Sequence, residues 1–473
     1  MAARRPRTMP SSTTSSAQVG DPDLVGSLAD TTFTDLGVPD RLAAALATVG
    51  ITTPFPIQAA TLPDSLAGRD LLGRGRTGSG KTYAFLLPVL ARLVADRTSR
   101  KPGRPRALIL APTRELASQI DATLAPLARA LSLRTLTVFG GVGYQPQISR
   151  LRAGVDIVVA CPGRLTDHIC SGHVRLDAVE ITVLDEADHM ADLGFLPAVR
   201  RLLDQTPRDG QRLLFSATLD AGVNGLVQRY LTDPATHHVD SAQSPVQTMT
   251  HHVLHVRHDG RLPVLVDLAA APGRTLVFTR TKRGAKTLAR QLVASGVPAV
   301  ELHGDLSQSA RTKNLRAFSQ GSANTLVATD IAARGLHVDD IAQVIHADPP
   351  AGHKAYLHRS GRTARAGADG TVITLMTDDQ VADVRALTRR AGITPRTSKM
   401  RPGDASLAEL VPGERSFVAP PAESVHAPKK SRHRRAKAPT RTGPARARAG
   451  SSTGRAPGAA AFSAGRRRAA RRK

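Results

Sequence analysis

Cysteine is almost missing from this chain. Among 473 residues only Cys161 and Cys170 occur, too few for a disulfide framework or a zinc knuckle, and their scarcity suits a reducing, cytoplasmic setting. Long apolar runs are missing too, since none approaches the ~18 residues of a membrane span. Acid is scarce: 39 Asp and Glu stand against 65 Lys and Arg, a net charge of +26, which points to a polyanionic partner. The imbalance is concentrated at one end. From His426 to Lys473 there are 16 basic residues and no acid, so 26 − 16 leaves +10 for residues 1–425. Aromatics are nearly absent there, with Phe462 alone after Phe417, so phosphate attraction rather than base stacking dominates any binding of nucleic acid by the tail.

What is present is a phosphate-binding loop. Gly75-Arg76-Thr77-Gly78-Ser79-Gly80-Lys81-Thr82 has a Gly, four residues, then Gly-Lys-Thr. The glycines let the backbone wrap an anion with its N–H groups inward, Lys81 adds a point charge, and the Thr82 hydroxyl can ligate Mg²⁺. Leu71-Leu72-Gly73 before it reads as the end of a buried strand, and Tyr83–Leu90 after it begins a helix, the context this chemistry requires.

Residues 1–30 are rich in Ser, Thr, Pro and Ala and are expected to form a disordered arm. From Phe33 onward short apolar runs at 107–111, 156–160, 181–184 and 213–215 alternate with segments of helical length such as 114–131, which predicts a parallel sheet covered on both faces. A second series at 275–278, 299–302, 325–328, 343–345 and 371–375 repeats the rhythm without a phosphate loop. The expected organisation is therefore an α/β domain over 31–240, a linker over 241–248, a second α/β domain over 249–395 and a disordered basic tail over 396–473. One nucleotide site must then be completed by two domains across a cleft.

Val183-Leu184-Asp185-Glu186-Ala187-Asp188 is a buried strand ending in acids. Asp185 can hold Mg²⁺, and Glu186 can orient and deprotonate the attacking water. With this stretch the chain resembles the DEAD-box ATP-dependent RNA helicases, of bacterial type with a basic C-terminal extension. The resemblance implies two tandem RecA-like domains, ATP and Mg²⁺ as ligands, RNA as partner, and ribosome-assembly or RNA-decay factors as protein partners. It gives Gln58, in Gly50–Gln58, the reading of adenine and places Phe33 against the base. It gives RNA contacts to Arg114 in Pro112–Ala117, to Gly141 beside Gly140, to Arg164 in Pro162-Gly163-Arg164, to Arg311 in Gln308–Arg311 and to Thr329 in Thr329–Leu336. Ser216-Ala217-Thr218, Asp188 and His358 are implied to couple nucleotide to RNA. Arg362 and Arg365 are implied to be arginine fingers. The chain departs from the family pattern at Cys161 (usually Thr), His337 (commonly Asp) and Ala364 (usually Gly). Histidines at 237, 238, 251, 252, 255 and 258 suggest a metal site, but no Cys or paired acid completes the ligands, and the alternation around Val253, Leu254 and Val256 fits a strand.

Overall fold

The computed structural model describes residues 31–75, 79–96, 98–238, 249–333, 338, 340–364 and 369–419. The expected arm, the linker and the basic run from His426 lie outside these residues, as do Arg76, Thr77, Gly78, His337 and Arg365. The first sheet comprises β1 (Leu71–Arg74), β2 (Ala107–Leu110), β3 (Thr135–Val138), β4 (Ile157–Ala160), β5 (Ile181–Leu184), β6 (Gln211–Ser216) and β7 (Ala235–His238), in the order β3-β4-β2-β5-β6-β1-β7. The second comprises β8 (Met249–Val256), β9 (Arg274–Thr279), β10 (Ala299–Leu302), β11 (Thr325–Thr329), β12 (Ile341–His346), β13 (Gly370–Met376) and β14 (Arg396–Met400), in the order β10-β11-β9-β12-β13-β8-β14. All ladders in both sheets are parallel.

Why these segments are strands follows from burial on both faces. In β2, Ala107 and Ile109 join one apolar cluster while Leu108 and Leu110 join another, and in β4 Ile157 and Val159 are likewise separated from Val158 and Ala160. A continuous apolar run thus feeds two cores, one under each layer of helices, with about 1.5–3 kcal/mol from each large aliphatic side chain fully removed from water. Polar residues of the motifs cap the helices that follow: Thr113 accepts from Leu116 N–H, Asp220 from Val223 N–H, Thr281 from Gly284 N–H and Ser307 from Ala310 N–H. The helix Arg114–Ala130 starts where its sequence pattern does.

The C-terminal boundary expected at residue 395 is corrected. Strand β14 pairs in parallel with β8, and a helix follows at Ser406–Leu410. Met400, Leu407 and Val411 are buried in the core of the second sheet. Beyond them Arg415 grips Asp267 with two nitrogens at 3.1 and 2.9 Å, Ser416 N–H donates to the Ala270 carbonyl, and Val418 N–H donates to that of Gly296. Three apolar residues among many charged ones give no readable period, yet each meets a hole already formed by the domain.

The order of strands positions the site. Strands β5, β6 and β1 are neighbours, so the loops at their carboxyl ends, carrying Asp185–Asp188, Ser216–Thr218 and the phosphate loop, converge. The loops after β2, β3 and β4, carrying Arg114, Gly140-Gly141 and Arg164, converge on the other half of the same edge. Both sheets belong to a single compact unit.

Candidate functional site

The phosphate loop is anchored at both ends. Gly75 N–H donates to the Ser216 carbonyl at 3.3 Å, and Lys81 Nζ, a buried ammonium, donates to the Gly75 carbonyl at 2.6 Å. Gly80 takes φ +87°, and a Cβ there would lie 2.8 Å from Gln58 Nε2 and 3.0 Å from Phe55 Cβ, so only glycine fits. Ser79 Oγ is buried with no partner among the described residues, an orphan that a phosphate oxygen would satisfy. Lys81, Ser79 and the helix N-terminus at Lys81–Ala95 fit a polyphosphate, and the Thr82 hydroxyl with the Asp185 carboxyl supplies the hard oxygen donors that Mg²⁺ takes.

Asp185 and Glu186 sit in opposite electrostatic environments. Burial, and after it the neighbouring Glu186 charge, push the Asp185 carboxyl up to about 7 against the pull of Lys81. Burial also opposes ionisation of Glu186, but the His189 hydrogen bond and the charges of His189, Arg362 and Lys81 outweigh it and hold that carboxyl at about 2. A cation bound at Asp185 would draw off its proton. Arg362, buried, comes from the segment after the helix His353–Ser360 of the second sheet, so its charge reaches Glu186 from across the cleft.

Asp188 is a hub. Its Oδ2 accepts from both the N–H and the hydroxyl of Thr218 at 2.9 Å, its Oδ1 accepts from His189 N–H at 3.0 Å, and its own N–H donates to Ser216 Oγ at 3.2 Å. Ser216 in turn donates to the Thr218 carbonyl at 2.7 Å. Two residues on, Asp220 lies 3.4 Å from Lys354 of the second sheet's helix His353–Ser360. His358 is half-buried in the last turn of that helix.

The other half of the edge gathers cations. Arg114 packs on Gly141, where φ is +81° and a Cβ would meet the Arg114 guanidinium at 2.1 Å. Arg164 approaches the same glycine pair, and its guanidinium stacks over Tyr144 at 4.9 Å. Tyr144 is itself stacked on His168, with centroids 4.3 Å apart and planes at 19°. The sequence reading missed this support because aromatic spacing 144/168 carries no local pattern. Beside it opens a cleft of about 870 Å³ between the two sheets, bounded by Gly141, Val142, Gln308, Thr312, Lys313 and Arg316.

Both family models match this chain: the DEAD/DEAH box helicase model over residues 55–225 and the helicase conserved C-terminal domain over 260–367. The chain belongs to the DEAD-box helicase family. It is 40% identical over 369 residues to the ATP-dependent RNA helicase RhlB of Pseudomonas syringae pv. tomato, covering 76% of this chain and 93% of that one. It is 41% identical over 365 residues to DEAD-box ATP-dependent RNA helicase 3A, chloroplastic, of Zea mays, covering 76% of this chain and 49% of that one. The chain thus spans about half the length of the maize relative. Among solved structures, Mss116p bound to ssRNA and AMP-PNP is similar with a TM-score of 0.68 at 25% identity, covering 81% and 83% of the two chains. Dbp5 of S. cerevisiae, bound to RNA and ADP BeF3, shares the fold with a TM-score of 0.69 at 24% identity, covering 80% and 99%. The fold is therefore two RecA-like domains in tandem.

The surroundings of the other expected site residues are as follows. Phe33 is 3% exposed and packs in the first domain's core. Phe55, 53% exposed beside Gly80, is the aromatic at the phosphate loop. Gln58 is fully buried; its carbonyl accepts from Phe55 N–H at 2.9 Å and its amide donates to Gly80 at 2.8 Å, so pairing with a base requires sharing those bonds. Arg311 is buried, and its guanidinium donates to Glu115 of the first domain at 2.8 Å and to the His303 carbonyl at 3.1 Å. The pair bridges the domains, and removing either partner of such a buried pair leaves an uncompensated charge at about 3–5 kcal/mol. Arg114 reaches Gln308 at 3.3 Å in the same clasp. Thr329 is 8% exposed at the end of β11. Cys161 leans on the apolar core, and burial, then the Glu115 charge, push its thiol up to about 12 against Arg114, so it remains a neutral thiol. Of the histidines, His237 meets Asp64, His251 the Tyr356 hydroxyl and His255 Asp378. Among the described residues no helix is long and apolar enough to cross a membrane.

Proposed function

We propose that this chain is a cytoplasmic RNA-dependent ATPase that closes its two domains on ATP·Mg²⁺ and single-stranded RNA together, separates RNA strands locally or remodels RNA–protein complexes, and reopens after hydrolysis. The observation that carries the reading is the position of Arg362, delivered by the second domain to the carboxylate of the first. A site completed only on closure links turnover to whatever else the closed cleft binds.

In this reading Lys81, Ser79 and the backbone after Gly75 hold the phosphates, and Thr82 with Asp185 holds Mg²⁺, which neutralises phosphate charge when bound. Glu186, ionised at neutral pH, orients the attacking water and accepts its proton. Arg362 and Arg365 offer planar forks to the γ-phosphate oxygens. Arg114, Arg164 and the Gly140-Gly141 backbone take RNA phosphates, which fix the strand without reading sequence. The Asp188–Thr218–Ser216 hub joins the two halves. The direct experiment is ATP turnover of the full chain with saturating single-stranded RNA or single-stranded DNA of the same sequence. RNA is expected to stimulate and DNA to have little effect; equal stimulation by both would make the chain a DNA-active helicase of related architecture.

The tail is separable from this engine. Removing residues 426–473 is expected to weaken RNA binding and leave turnover at saturating RNA in place, because the hydrolytic residues all precede Gly367. If about 5 of the tail's basic residues touch the strand at once, the slope of log affinity against log salt should flatten by roughly 0.7 × 5, or about 3.5. Affinity for two unrelated single strands, titrated across salt with and without the tail, checks this. An unchanged slope makes the tail a solubilising extension.

A further inference from the structure

Glu186 does not sit on a relaxed backbone. It takes φ +51° and ψ +54°, the left-handed region that a side chain rarely adopts, as the residue entering the short helix Ala187–Asp192. That twist turns its carboxylate back onto the turn it begins, where His189 stands three residues on. The His189 Nδ1 lies 2.8 Å from Glu186 Oε2, and both side chains are shielded, 7% and 14% exposed. His189 is also fixed from behind, because its backbone N–H donates to Asp188 Oδ1, the carboxylate whose other oxygen holds Thr218. Its Nε2 is buried without a partner among the described residues, so the imidazole's one polar contact is the carboxylate.

We propose that His189 is the positioning residue of the hydrolytic carboxylate: its Nδ1–H fixes Oε2 of Glu186 and leaves Oε1 to the attacking water. The inference rests on the reading of Glu186 as the group that orients that water. A hydrogen bond to one oxygen restricts rotation of the carboxylate, so its free oxygen favours one direction when the nucleotide arrives. The backbone anchor passes through Asp188 and therefore ties the same carboxylate to the hub that joins the domains. His189 touches neither nucleotide nor water; it acts through Glu186.

The experiment is ATP turnover of the full chain at saturating single-stranded RNA for the parent, His189→Leu, His189→Asn and Glu186→Gln. In His189→Leu, kcat is expected to fall about 10- to 100-fold with KM for ATP within about twofold. In His189→Asn, whose amide nitrogen falls near the place of Nδ1, most of the turnover returns. A second measurement does not depend on any His189 variant folding: the hydrogen-bonded Nδ1–H proton of His189, observed by NMR in the parent, should shift upfield in Glu186→Gln, where a weaker acceptor replaces the carboxylate. Parental turnover in His189→Leu, or an identical Nδ1–H resonance in both proteins, overturns the proposal. If Glu186→Gln itself turns over at the parental rate, the reading of Glu186 fails and this inference falls with it; if Glu186→Gln is inactive while His189→Leu is parental, only the inference about His189 fails.

Discussion

Glu186→Gln is expected to lower RNA-stimulated ATP turnover by about 10²- to 10⁴-fold, the range over which a positioned general base contributes, while ATP and RNA still bind. The amide keeps the shape of the side chain and its reach to His189, but it has lost the carboxylate that accepts a proton. At about 2, the parent carboxyl is ionised throughout the neutral range, so the loss is of function present in essentially every molecule. A carboxylate with so low a pKa is a weak base by itself, so under the proposed reading orientation of the water would be the larger part of its contribution. Since the barrier rises only at the chemical step, the closed complex should accumulate, with longer-lived RNA in the presence of ATP. Turnover and RNA dissociation, measured together at saturating ATP, check both halves. Parental turnover would remove Glu186 from the reaction.

Arg362→Lys is expected to slow hydrolysis by about 10³-fold or more, since an arginine acting across a cleft on the transferring phosphate contributes 10³–10⁵. Lysine preserves the charge and loses the planar fork that meets two phosphate oxygens. The buried position of Arg362 argues for the large effect, because a buried guanidinium is held in one direction whereas an exposed one is screened. ATP affinity of the first domain should change little if, as proposed, its own loop holds the phosphates, so the loss should appear in kcat. Single-turnover hydrolysis with saturating RNA is the measurement. A near-parental rate would mean that the second domain closes without completing the ATP site.

The two effects have different origins, and the sequence disclosed them unequally. The strand-loop-helix context of the phosphate loop, the acids ending β5 and the hydroxyls ending β6 were legible because each depends on neighbours within a few residues. Apolar runs at 157–160 or 181–184 demand burial on both faces wherever they fall, so the parallel sheets followed from composition and period alone. Even the need for two domains was visible, since the second series of strands has no phosphate loop of its own.

What the sequence could not decide was which polar group meets which across the fold. Arg311 belongs to a motif implied to grip RNA, and in the fold a carboxylate from the other domain, Glu115, lies 2.8 Å from it in a buried pair, since a buried guanidinium takes a partner that neutralises it. Phe33 and Phe55 are chemically the same side chain; only the packing of the helices at Asp40–Thr48 and Pro56–Leu66 sends one into the core and leaves the other exposed at the phosphate loop. His189 carries no motif, and its contact with Glu186 exists because the backbone at 186 turns left-handed. Met400, Leu407 and Val411 read as isolated apolar residues until β8 offers an edge and the second core offers space. Local pattern fixed the kinds of element and the chemistry at their ends, because propensity and periodicity act over a single turn or strand. Pairing, burial of single side chains and the last strand were settled by tertiary structure, because their free energy comes from how whole elements pack, as between Glu115 and Arg311 or β8 and β14.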